Sequence, residues 1–383
     1  MNDNLDQLPS ILIADDDRST RSLLRLILKK DGYRVIEVEN GAECLTAWQQ
    51  HQPDMILLDA MMPVMDGFIC CQQIHLKSQI PILMITGLND KASVDRAFAV
   101  GATDYITKPI HPPVLRQRLS RMLKTAQAEA ALKASEAKLL AQNLKLQAEL
   151  DRAADYVRSL LPQPITNRIN IEQHFAPSAQ LGGDIFDYYW LDLNHLVVYL
   201  VDVAGHGVMS ALLSISVLNV LRSQSLYNTD FYEPWTVLAE LNRLFPMNEK
   251  GDNYFTIWYG VINLNEQELV YASAGHPPAI LARQQEVKYL NNDNIPIGMF
   301  DEYPFEQEVC SIKSGDSLYI LSDGVYEVPQ ANGKLWGFNN LVKLLLQVQG
   351  KNSFNLENIW RFIQKQHPEQ ILDDDFSLLK ITL

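Results

Sequence analysis

The stretch ILLDAMMPVMDG, residues 56–67, decides how the first third of the chain is read. A strand-like apolar run ends in Asp59, and a turn-forming segment with Pro63 and Gly67 follows. The same pattern stands upstream, where Ile11, Leu12 and Ile13 lead into Asp15 and Asp16. Outward from these two, strand-like runs at roughly 11–14, 34–38, 55–58, 81–85 and 104–107 alternate with helix-period segments. Five such units predict an α/β domain over residues 10–125, a doubly wound five-stranded parallel sheet. In such sheets functional groups gather beyond the C-terminal strand ends. Asp15, Asp16, Asp59, Thr86 and Lys108 all fall there. Crowded carboxylates raise one another's pKa unless a cation neutralises them, and hard oxygen ligands select Mg²⁺ or Mn²⁺.

The strings ILIADDD, ILLDAMMPVMDG, MITG and YITKP together resemble the response-regulator receiver family over about 115 residues. The resemblance implies that Asp59 is the phosphoacceptor and that Asp15, Asp16, Asp59 and the Met61 carbonyl hold Mg²⁺. It further implies that Thr86 and Lys108 contact the phosphoryl group, that Tyr105 repositions on switching, and that Lys108–Pro109 is often cis. The chemistry is coherent, since a carboxylate nucleophile needs a metal to neutralise incoming phosphoryl oxygens and a lysine to pair the remaining charge.

From Val114 to Leu160 there is neither proline nor glycine, and Ala, Leu, Lys, Gln and Glu abound. These are good helix formers. Leu132, Leu139, Leu146, Ala153 and Leu160 recur every seven residues, with Asn143, Leu150 and Val157 at the complementary position. The spacing predicts a long helical coiled-coil linker, residues 126–161, with a homodimer seam in which Asn143 selects register. A solvated helix, or one packed on its own domains, is the other reading. Pro162 and Pro164 stop it.

In residues 162–383, strand-like runs at 195–201, 254–263, 268–273 and 317–321 alternate with amphipathic segments near 207–226, 233–245, 337–349 and 355–366. This predicts an α+β layered domain, a β-sandwich flanked by helices. Gly182-Gly183-Asp184 leads, 18 residues on, to Asp202 in DVAGHG; Asp323 stands in SDGVYE and Asp374 in DDDFS. With RSLLP, YFTIWYG and AGHPPAIL, these strings resemble the bacterial branch of the metal-dependent Ser/Thr protein phosphatases (the PPM superfamily). The nearest branch holds sporulation-type phosphatases and those acting on anti-anti-sigma factors. The resemblance implies two Mn²⁺ or Mg²⁺ ions, bridged by Asp202. Asp184 and the Val203 carbonyl would support the first ion, and Asp323 and Asp374 the second. The D-D-x-S spacing ending at Ser377 favours Asp374 over Asp373 or Asp375. Asp187 reads as structural or as a support to the ligands. His206 is either a proton donor to the leaving oxygen or a turn residue, and His276 reads as fixing a loop. GGDIF resembles the GGDEF string of diguanylate cyclases only superficially, because Ile185 replaces the acid those enzymes need.

A formal net charge of −14 excludes nucleic acid as the main partner. No apolar run approaches the 18 residues a membrane span requires. Four cysteines without motif spacing, and no apolar signal-like run at the N-terminus, point to a cytoplasmic protein. The expectation is a response regulator phosphorylated by a sensor histidine kinase, whose output is a metal-dependent phosphatase acting on a phosphorylated anti-anti-sigma (STAS) protein. A catalytically silent phosphatase-fold adaptor is the alternative, and a receiver that only dimerises is a third.

Overall fold

The computed structural model describes residues 8–87, 91–205, 207–247, 254–284, 286–348, 355–368 and 373–383. The chain divides into two units, Met1–Asn143 and Leu144–Leu383. In the first, β1 (Ser10–Ala14), α1 (Arg18–Lys30), β2 (Arg34–Val38), α2 (Gly41–His51), β3 (Met55–Asp59), α3 (Gly67–His75), β4 (Ile82–Thr86), α4 (Lys91–Ala99) and β5 (Asp104–Thr107) alternate strand and helix. The five strands form one parallel sheet in the order β2-β1-β3-β4-β5. Side chains alternate faces along a strand, and both faces are buried here. Ile11, Ile13, Leu57, Leu83 and Ile85 pack with α1 residues Leu24 and Leu28 and with Leu115 and Leu119. Leu12, Ala14, Ile56, Leu58 and Met84 pack with Cys44, Phe68 and Ile74 from α2 and α3. That is the doubly wound arrangement. Cys44, Cys70, Cys71 and Cys310 are all free and buried.

Helix α5 (Pro112–Leu160) runs 49 residues without a break. The heptad seam divides along its length. Leu132, Leu139 and Leu146 are exposed, at 56–60%. Ala154 and Val157 instead pack against Leu181 and Ala211, with Leu150 and Ile215 at the edge of that cluster. The last two turns are therefore covered within their own unit, by the loop at Leu181 and by Ala211 and Ile215 of the helix Val208–Arg222. Among the described residues no helix is long and apolar enough to cross a membrane.

The second unit continues with β6 (Asn170–Ala176), β7 (Ile185–Trp190), β8 (His195–Val203), α6 (Val208–Arg222), α7 (Pro234–Leu244), β9 (Phe255–Asn263), β10 (Glu268–Ala274), β11 (Ala279–Arg283), β12 (Glu286–Leu290), β13 (Glu308–Ser311), β14 (Ser317–Leu321), α8 (Phe338–Val348), α9 (Leu356–Gln364) and β15 (Phe376–Thr382). Two antiparallel sheets result, β13-β10-β9-β8-β7 and β12-β11-β14-β15-β6. Strand parity assigns the layers. In β8, Val197, Tyr199 and Val201 face α6 and α7, whereas Leu196, Val198 and Leu200 join Phe186, Trp258, Leu318, Ile320 and Leu379 between the sheets. On the far side, Tyr319, Leu321 and Leu378 pack under α8 and α9. The layers run helix, sheet, sheet, helix.

Candidate functional site

Continuing the same parity to the strand ends locates the chemistry. Asp202 follows Leu196, Val198 and Leu200 on the inter-sheet face, and Asp184 precedes Phe186 and Tyr188 on it. Ser322 follows Leu318 and Ile320, and Ser377 precedes Leu379. At this one end of the sandwich the apolar filling gives way to carboxylates and hydroxyls. Asp323 begins a single 3₁₀ turn just past β14, and Asp374 stands two residues ahead of β15.

These acids act on one another electrostatically. Burial, and then the charges of Asp323, Asp374 and Asp375, push Asp202 up to about 7. Burial, then Asp374 and Glu327, raise Asp323 to about 6. Asp184 is raised well above the usual carboxylate range by burial and by Asp202 and Asp375, with the Ser377 and Ser322 hydroxyls opposing. No lysine or arginine figures among the groups shifting these three, among the described residues. The Asp184 Oδ2 is buried without a hydrogen-bond partner. Carboxylates raised by burial and by one another, with an orphaned carboxylate oxygen among them, fit divalent cations. The fit differs in detail from a simple trio. Among the described residues the only three acids with oxygens mutually within 4.8 Å lie in the first unit, so the C-terminal acids are more widely spaced.

The DDDFS string resolves into distinct jobs. Asp375 is 3% exposed. Its Oδ1 accepts from the Ser178 amide (2.8 Å) and hydroxyl (3.0 Å), and its Oδ2 from the amides of Gly183 (2.6 Å) and Asp184 (3.2 Å). It pins the Ser178–Asp184 loop to β15. A Cβ on Gly182 would lie 2.2 Å from the Asp375 Oδ2, and one on Gly183 would lie 2.7 Å from the Val203 carbonyl oxygen. The two glycines thus permit this approach. Asp374 is exposed, and its Oδ1 accepts from the Asp375 amide at 2.8 Å. Asp373 pairs with His367 at 3.7 Å.

Asp187 is buried in an ion pair with Arg222 (2.7 Å), and Arg222 Nη2 also donates to the Leu160 carbonyl (2.9 Å). It joins β7 and α6 to the end of α5. His206 lies outside the described residues. His276 is buried with Nδ1 2.8 Å from the Thr256 hydroxyl, and burial holds its pKa down at about 3. Thr256 escaped the sequence reading because a threonine early in a strand carries no signal by itself. Asp375 was visible only as an alternative ligand.

In the first unit Asp15, Asp16 and Asp59 converge, with Asp15 and Asp59 buried and Asp16 exposed. Lys108 Nζ reaches Asp59 Oδ2 at 2.6 Å and Asp15 Oδ2 at 3.0 Å. Burial opposes the charge on Lys108, but the two carboxylates outweigh it and hold its pKa above the ordinary value. Burial, resisted by Lys108 and reinforced by Asp59, raises Asp15. The third acid of ILIADDD, Asp17, caps α1 through Ser19 and Thr20. Thr86 is buried at the end of β4. The exposed Met61 donates its amide to Asp59 Oδ1 at 3.4 Å. Tyr105 packs edge-on to Phe98 at 5.9 Å with the Arg118 guanidinium 5.8 Å from its ring centre, and the Lys108–Pro109 peptide is cis.

Comparison with known proteins agrees with this division. The family model for Stage II sporulation protein E (SpoIIE) matches residues 192–383, just over half of the chain. That of the response regulator receiver domain matches residues 11–120. The phosphoserine phosphatase RsbP of Bacillus subtilis (strain 168) is 31% identical over 190 residues, 48% of this chain and 46% of RsbP. The probable transcriptional regulator ycf27 of Guillardia theta is 38% identical over 121 residues, 32% of this chain and 48% of that protein. The chain thus spans about half the length of the curated relatives it matches. The SiaA-PP2C domain of Pseudomonas aeruginosa shares the fold, with a TM-score of 0.55 at 18% identity, covering 63% of this chain and 99% of that domain.

Proposed function

The chain belongs to the Stage II sporulation protein E (SpoIIE) family and carries a response regulator receiver domain before its PPM-type phosphatase domain, and from that premise we propose that it is a phosphorylation-controlled protein serine/threonine phosphatase. One observation carries the reading: Asp184, Asp202 and Asp323 stand together at the mouth of the sandwich, each raised by burial and by neighbouring acids, with one Asp184 carboxylate oxygen buried and unpartnered. Asp184, Asp202, Asp323, Asp374 and the Val203 carbonyl would hold two Mn²⁺ or Mg²⁺ ions. Bound there, such ions neutralise phosphate oxygens and lower the pKa of water. The chain's own part is to place the acids. Asp375 fixes the loop ending at Asp184, Gly183 leaves the Val203 carbonyl accessible, and the two sheets deliver Asp202 and Asp323 from opposite sides. No side-chain nucleophile is needed.

In the receiver, Asp59 accepts the phosphoryl group from a sensor histidine kinase, with Asp15, Asp16, Asp59 and the Met61 carbonyl holding Mg²⁺. Lys108, already paired to Asp59, follows the charge onto the phosphoryl oxygens, and Thr86 contacts them. Phosphorylation adds charge beside a hydroxyl and an aromatic, Tyr105, that can reposition, which suits a two-state element. The exposed Leu132, Leu139 and Leu146 stripe serves a homodimer through the helix, and α5 carries the signal to the C-terminal unit. The substrate is phosphoserine or phosphothreonine on a small cytoplasmic STAS-type anti-anti-sigma protein. The similarity to a phosphoserine phosphatase supports the phosphoamino acid.

The test is release of phosphate from a phosphoserine STAS-domain protein by the full chain, with and without acetyl phosphate. We expect turnover that changes on phosphorylation in wild type and not in Asp59→Ala. Binding without turnover would instead identify an adaptor.

A further inference from the structure

The buried histidine of AGHPPAIL has a place in the fold that its role as a loop residue does not use up. His276 lies in the crossover between β10, in the first sheet, and β11, in the second. Its backbone is held on both sides: the Ser273 hydroxyl donates to the His276 carbonyl at 3.1 Å, and the Gly275 amide donates to the Asn294 carbonyl at 3.0 Å. The ring is 5% exposed, so it is a fixed strut. Nδ1 meets the Thr256 hydroxyl at 2.8 Å, and the ring is also within reach of the Leu321 backbone.

What Thr256 does gives the strut its meaning. In the β8–β9 ladder Thr256 is the direct cross-strand partner of Asp202. Directly opposed residues send their side chains to the same face, with Cβ atoms about 5 Å apart. Both continue the parity of residues between the sheets, Leu200 for Asp202 and Trp258 for Thr256. The hydroxyl held by His276 therefore lies beside the carboxylate assigned to both ions. From the same crossover, β11 pairs with β14, the strand that ends just before Asp323.

We infer that His276 is a positioning residue for the cation-binding acids, acting through Thr256 on Asp202 and through the crossover on the spacing between the two sheets. A ring buried for packing alone would leave cation affinity unchanged after a stability-neutral exchange. A positioning ring would not, because residues that orient ligands typically contribute about 10-fold or more to metal affinity.

The inference rests on the phosphatase reading, and the experiment separates the two. Mn²⁺ binding to the full chain is followed by calorimetry, with Asp202→Ala defining the heat that belongs to the receiver. In parallel, the Mn²⁺ concentration giving half-maximal hydrolysis of p-nitrophenyl phosphate is measured. His276→Ala and Thr256→Val are each expected to weaken C-terminal Mn²⁺ binding about 10-fold. The double variant should be no weaker than either single one, since both remove the same link. His276→Asn, whose amide can occupy the place of Nδ1, should stay near wild type. Thr256→Val removes one hydroxyl and carries the test even where His276→Ala fails to fold. Wild-type Mn²⁺ affinity in Thr256→Val, or additive losses in the double variant, would overturn the inference while leaving the phosphatase intact. If wild type takes up no more Mn²⁺ than Asp202→Ala, both fall.

Discussion

Replacing Asp375 by asparagine tests which member of DDDFS is structural. Each Asp375 oxygen accepts from two donors, Ser178 N and Oγ on one side and the Gly183 and Asp184 amides on the other. An amide must turn its NH₂ toward one of these pairs, so two hydrogen bonds to a charged acceptor are lost whichever way it flips. At about 1.5–3 kcal/mol each the loss is about 3–6 kcal/mol. Removing a like charge from beside Asp184 and Asp202 offsets part of it, leaving a net loss of about 2–4 kcal/mol. Five of the six tryptophans lie in residues 190–360, so tryptophan fluorescence in urea without metal reports chiefly on the C-terminal unit. The midpoint should fall by about 1 M. Asp374→Asn alters an exposed side chain and should change metal-free stability by less than about 1 kcal/mol, yet abolish Mn²⁺-dependent turnover. The reasoning is refuted if Asp375→Asn is as stable as wild type, or if Asp374→Asn is the destabilised variant.

Further expectations concern pH, the receiver and the helix. Asp202 and Asp323 are raised to about 7 and about 6. In the metal-free protein the stability linked to their neutral forms is present below about pH 4 and lost as pH climbs through 6–7. For Asp202 that loss is at most about 4 kcal/mol. Mn²⁺ relieves it, so calorimetric melting should show a larger Mn²⁺-induced rise in Tm at pH 8 than at pH 5. Phosphoryl uptake from acetyl phosphate, read on a phosphate-affinity gel, should vanish in Asp59→Ala and in Lys108→Ala fall by about 10-fold or more. Leu139→Glu with Leu146→Glu places charge on the exposed stripe and should convert a dimer to a monomer in sedimentation. Val157→Glu, by contrast, should destabilise the C-terminal unit by about 3 kcal/mol, because that residue packs on Leu181 and Ala211.

The receiver was legible because its strands are short continuous apolar runs ending in acids, and a sheet buried on both faces leaves few other readings. The layers of the C-terminal unit followed the same logic, since alternation along β8 sorts Leu200 from Val201 and carries Asp202 to the inner face. Harder to see was the difference between neighbours in an acidic run. Whether Asp374 or Asp375 turns inward depends on where β15 starts, and three like residues carry no such mark. Asp17, alike in the string to Asp15 and Asp16, proved to be a helix cap. The heptad pattern predicted an apolar seam but not its partner, because Leu150 and Val157 satisfy the same period against their own unit. The His276–Thr256 contact spans 20 residues and two strands, so only the ladder register reveals it.

The most direct test of the central claim compares wild type with Asp202→Ala in hydrolysis of p-nitrophenyl phosphate across a Mn²⁺ titration. The account predicts saturable, Mn²⁺-dependent release of p-nitrophenol by wild type and background release by the variant. Equal rates in the two proteins at every Mn²⁺ concentration would contradict it.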